Sequence, residues 1–283
     1  MNTKSTSVTM RYTPPALTSM LRSTLLLFLL LFPVNLMLMV FHEGGHALLT
    51  LVIGGPVSMF YVHPFSMPGY ARPGYDNVWH HVGGAALLLS VSLLVFILCW
   101  KRRSVSYLPL VMFFAYSWVF QAYSILLIQG DFSNIMRLTG ISPIVFRVTG
   151  SIMTAVGIFL FVSLFPLLGL APRDLKSLLV VPAAFSLWAL LGLMVAHLFV
   201  PGSPIDFVYG LKEEIFSIEK MLPIVYLISS VIFAGIYVTI YRWVYPRLPS
   251  WLRTDTVQLN WKDLRLPALL AAFSVISGLI IIT

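Results

Sequence analysis

The stretch FHEGGHALLT, residues 41–50, holds two histidines four positions apart, His42 and His46, with Glu43 directly after the first. On an α-helix that spacing places both imidazoles on one face, one above the other. They can then reach a single metal ion while the carboxylate addresses a water on it, which is the arrangement of a hydrolytic H-E-x-x-H site. Zinc is the ion that such ligands suit. The plainer alternative is a pair of histidines hydrogen-bonded inside a helix bundle.

Catalytic zinc sites usually take three protein ligands and leave one position open. Acidic residues are scarce here, ten in 283, so candidates for the third ligand are few. Asp131, in LLIQGDFSNIMRLTG, follows Gly130 at the exit of an apolar stretch. The competing reading is an interfacial aspartate capping the helix that follows. Glu213, Glu214 and Glu219, in LKEEIFSIEK, read as a solvated loop face.

The elements that must position these groups are membrane helices. The chain is 59% hydrophobic and 10% charged, against about 25% charged in a typical soluble domain. It cannot cover a soluble surface, and an all-α polytopic membrane protein is expected. About seven transmembrane helices are expected, at residues 24–53, 82–100, 107–128, 145–169, 177–200, 223–244 and 266–283, each near the ~20 residues that cross a bilayer. The expected organisation is a polar tail at 1–22, a three-helix core at 23–145 and four further helices at 146–283. The first and third spans run the same way, so His42, His46 and Asp131 fall at similar depth. The single cysteine, Cys99, excludes an intrachain disulfide and a cysteine metal cluster.

The net charge of +8 is spread between apolar runs rather than gathered in a patch, which argues for membrane loops and against nucleic acid. Alternate loops divide the 18 Lys and Arg unevenly. Lys4, Arg11, Arg22, Lys101, Arg102, Arg103, Arg173, Lys176, Arg242, Arg247, Arg253, Lys262 and Arg265 fall on one side. Arg72, Arg137, Arg147, Lys212 and Lys220 fall on the other. The positive-inside rule then makes the N-terminus cytoplasmic and sets the histidine motif near the outer face. A bacterial or archaeal cell membrane is the expected location.

Four stretches resemble the site-2-protease class of intramembrane zinc metalloproteases. FHEGGHALLTLVIGG is similar to that family's motif helix, and VSMFYVHPFSMPGY to the short extended, hairpin-like segment after it. HVGGAALLLSVSLL is similar to its small-residue packing helix, and GDFSNIMRLTGISP to the segment carrying the later aspartate. The resemblance covers residues 24–145, the expected three-helix core. Where family members carry an asparagine on the second core helix, alignment on Gly83 leaves Leu87. The resemblance therefore implies another oxyanion or substrate donor, for which Asn134, His80, His81, His197, Gly83 and Gly84 are the candidates.

The implied activity is a zinc-dependent endopeptidase acting on a membrane protein or peptide substrate in the lipid bilayer. One Zn2+ would be held by His42, His46 and Asp131, with Glu43 as general base. Gly44 and Gly45 would either leave room for a substrate strand or let helices pack closely. The alternatives are a non-catalytic scaffold, chaperone or transporter built on the same fold, and a di-iron desaturase. The last would need about eight histidines, and the chain has six.

Overall fold

A computed structural model describes residues 17–55, 57, 77–99, 104–171, 176–199, 235–250, 253 and 255–280. Among them the chain is helical and contains no β-strand. The extended segment expected after the first helix lies almost wholly outside the described residues, as do Glu213, Glu214 and Glu219.

The first helix, α1, runs Leu17–Val52 without a break, with Pro33 inside it. It begins within the stretch expected to be a polar tail. At ~1.5 Å per residue its 36 residues extend about 54 Å, well beyond a hydrocarbon core of ~30 Å. Then come α2 (Val78–Cys99), α3 (Leu108–Leu127), the short α4 (Asp131–Thr139) and α5 (Pro143–Val162). By length and composition, four helices can cross a membrane: α1, α2, α5, and α3 with its preceding turn. The expected fifth span is helical as α6 (Lys176–Phe199), and the seventh as α8 (Arg265–Ile280). Of the sixth, residues 235–244 are described and helical (α7).

The bundle is organised around α1, which packs against α2, α3, α6 and α8. Leu26, Leu27, Leu30, Leu31, Val34 and Leu38 are wholly buried on it. They meet Val111, Met112 and Phe113 of α3, Val180 and Ala184 of α6, and Phe165 and Tyr241 in one apolar core. Polar ties close the N-terminal end of α1. Arg22 donates to the Leu259 carbonyl at 2.9 Å and stacks over Trp261 at 5.2 Å. Lys176 donates to Ser19 Oγ at 3.0 Å. Outward faces carry large apolar side chains, such as Leu94, Ile97 and Leu98 on α2 and Val148 and Ile152 on α5, as lipid contact requires.

The segment that delivers Asp131 is built by a sharp break. Helix α3 ends with Ile128 in the left-handed region, at φ 54°, and Gly130 follows at φ 57°. A β-branched residue there is strained by roughly 1–2 kcal/mol. The strain is held by packing: Ile125, Ile135 and Phe146 form a second, smaller core with Ile128, Phe132, Met136, Val78 and Val82. That core pins α4 against the start of α2.

Candidate metal centre

The helical spacing of His42 and His46 does what the sequence suggested: both rings turn into the bundle and their Nε2 atoms stand 3.3 Å apart. Asp131 arrives from the start of α4 and sets Oδ2 3.2 Å from His42 Nε2 and 3.1 Å from His46 Nε2. Ligand atoms bound at about 2.0–2.2 Å in a tetrahedron stand about 3.3–3.5 Å apart, so the three atoms have nearly the spacing that one zinc ion needs.

Tautomers sharpen the fit. His46 Nδ1 lies 2.7 Å from the His80 carbonyl, which can only accept, so Nδ1 carries the hydrogen. In the neutral ring, Nε2 then presents a lone pair to a carboxylate that also presents lone pairs. Two acceptors 3.1 Å apart need a cation between them: a second proton on His46, or a metal ion. The donor set, two imidazoles and one carboxylate, fits zinc.

The surrounding groups hold these three. His81 Nδ1 donates to Asp131 Oδ1 at 3.1 Å, which occupies one carboxylate oxygen and leaves Oδ2 for the histidine pair. The His80 ring stacks on His46 with centroids 4.6 Å apart, and its Nδ1 is hydrogen-bonded to Thr50 Oγ1 at 2.7 Å. Gln121, reaching across from α3, meets His42 Nδ1 at 3.1 Å. Burial alone would raise the Asp131 pKa. The hydrogen bond from His81, and those from His42 and His46 when their rings carry a proton toward it, outweigh burial and hold the carboxyl well below the usual carboxylate range.

Glycines let α2 come this close. A side chain on Gly45 would strike the Gly83 carbonyl, and one on Gly83 would strike the Gly45 carbonyl and approach Leu49 Cβ at 2.9 Å. A Cβ on Gly84 would lie 2.5 Å from His46 Nε2 and 2.9 Å from His42 Cε1. Gly45 thus serves close packing, and Gly84 forms the wall against the two rings. Among the described residues, a Cβ on Gly44 would meet only Leu87 Cδ2, at 4.0 Å.

The structure brings His42, His46, Asp131, His80, His81, Gly83 and Gly84 together. Glu43 is buried on the same turn, 5% exposed. His80 and His81, expected as substrate or oxyanion contacts, lie against His46, Thr50 and Asp131. Asn134 lies one turn beyond Asp131, half-buried, with its Oδ1 3.5 Å from Arg137 Nη2. The His197 side chain falls outside the described residues. Sequence reasoning missed Thr50 and Gln121. The signal for Gln121 was present: an uncharged amide inside an apolar span is costly unless partnered.

No protein-family model, curated protein or solved structure matches this chain.

Proposed function

We propose that the protein is an intramembrane zinc-dependent endopeptidase that hydrolyses peptide bonds of membrane-spanning or membrane-adjacent substrates. The observation that carries this reading is the convergence of His42 Nε2, His46 Nε2 and Asp131 Oδ2 within 3.1–3.3 Å of one another beside the buried Glu43. The quoted motifs that resemble the site-2-protease class support the same activity.

A zinc ion bound there supplies Lewis acidity toward a peptide carbonyl and acidifies a water to a pKa of about 7. His42, His46 and Asp131 would hold it. The His80 carbonyl and the His81 ring keep His46 and Asp131 in the ligating orientation. Glu43 takes the proton of the attacking water and passes it to the leaving amine. Gly44, whose missing side chain would meet only Leu87 among the described residues, would leave room for the reacting peptide. A transmembrane substrate must unwind first, because its amides are engaged in its own helix. In this reading the chain is a multi-pass protein of a prokaryotic cell membrane with a cytoplasmic N-terminus, set by its loop charges.

The test is Glu43→Gln in detergent-purified protein, with zinc content and cleavage of a transmembrane reporter read together. The expected result is near-stoichiometric zinc in both proteins and cleavage in the wild type alone. Equal function in wild type and variant would instead make this a non-catalytic scaffold, chaperone or transporter.

A further inference from the structure

Gln121 sits on α3 and is wholly buried. Its amide meets His42 Nδ1 at 3.1 Å, through Nε2. The other end of the amide, Oε1, is buried without a hydrogen-bond partner among the described residues. The open end is the one that a loaded site needs. An imidazole that gives Nε2 to a metal carries its hydrogen on Nδ1, and that hydrogen requires an acceptor. Rotating the amide by half a turn about its last side-chain bond presents Oε1 to His42 Nδ1 in the same place, and the two ends are alike in size. His46 already has its acceptor in the His80 carbonyl. For His42, Gln121 is the hydrogen-bonding group at Nδ1 among the described residues.

We infer that Gln121 is a positioning residue of the metal centre: its Oε1 accepts from His42 Nδ1–H and fixes the tautomer that presents Nε2 to the ion. This inference rests on the metal reading of His42, His46 and Asp131. It adds a requirement that the reading does not contain, an acceptor contributed by a helix that bears no ligand.

The experiment is cobalt(II) and zinc(II) binding to the full-length protein in detergent, by competition with a chromophoric chelator. The visible absorption of the cobalt form reports ligand geometry. Gln121→Met keeps the volume and removes the acceptor; it is expected to weaken binding about 10–100-fold, the usual cost of losing an outer partner of a metal histidine. Gln121→Glu keeps an acceptor oxygen at the same reach and is expected to restore the affinity and the cobalt spectrum. Gln121→Met binding as tightly as wild type would overturn the inference, and so would equal weakening in both variants. Wild type that binds neither ion would overturn the metal reading itself and this inference with it. That result is distinct from tight wild-type binding with an indifferent Gln121→Met.

Discussion

Helix α1 is two different structures along one axis. From Leu26 to Leu38 it is buried by leucines, whose neighbours on α3 and α6 are also apolar. From His42 to Thr50 its buried groups are Glu43, Gly45, His46 and Thr50, and its neighbours are glycine backbone, histidine rings and a carboxylate. The first half is held by shape. Lipid tails are as apolar as leucine, so packing within a membrane bundle gains from van der Waals contact rather than from escape from water. The second half is held by directed bonds, each with one correct partner. A methyl group lost from the first half leaves a small void, whereas a misplaced atom in the second ends the chemistry. If this contrast is right, substitutions should separate cleanly into those that loosen the fold and those that disable the site.

The largest effect is expected from Asp131→Ala. It removes a proposed ligand from the polar half and leaves the leucine core untouched, so zinc affinity should fall at least about 1000-fold, equivalent to about 4 kcal/mol. Zinc at 100 times the wild-type Kd should stabilise wild type by about 2.7 kcal/mol in thermal unfolding and leave the variant unchanged. Zinc retained by the variant would assign the third ligand elsewhere.

Next comes Gly84→Ala. The new Cβ would stand 2.5 Å from His46 Nε2, so the ring or α2 must move. Overpacking of this kind costs about 1–3 kcal/mol. The loss should appear in metal affinity as well as in melting temperature, because the displaced atom is a proposed ligand. Leu30→Ala belongs to the other half. Lipid accepts the exposed leucine in the unfolded state, so the cost is mainly the void, about 1–2 kcal/mol. Zinc affinity at a temperature where the variant is folded should match wild type. A large drop there would mean that the two halves are coupled and would break the comparison.

The difference between the halves also explains how far the sequence could be read. His42, Glu43 and His46 were legible because four residues of helix fix their relative placement whatever else the chain does. Asp131 was legible through scarcity and through the shared direction of the first and third spans. The helices α1, α2, α3 and α5 were legible because each carries an apolar run long enough to cross a bilayer. His80 and His81 were visible as polar groups but not in their roles: which ring meets His46 and which meets Asp131 depends on the rotation of α2 about its own axis. That rotation is set by the Gly45–Gly83 contact, a backbone approach that leaves no periodic mark in the sequence. The turn that swings Asp131 inward was readable only as a glycine after an apolar run. Its strained element is Ile128, a residue whose type gives no hint of a left-handed conformation.

The smallest effect, and the finest test of the contrast, is expected at Asn35. It is the polar residue buried among the leucines of the first half, 2% exposed, and its Nδ2 is without a partner among the described residues. Seven residues, two helical turns, separate it from His42, so it lies on the same face of α1, about 10 Å from the ligands along the axis. If the polar character of the site stops at His42, Asn35→Leu exchanges an unsatisfied amide for an apolar group of similar size. Stability should then rise by up to about 1 kcal/mol, with zinc affinity and cleavage unchanged. A fall in zinc affinity would show that the site's polar network extends down α1 to Asn35. The boundary between the two halves would then lie two turns deeper than the histidines.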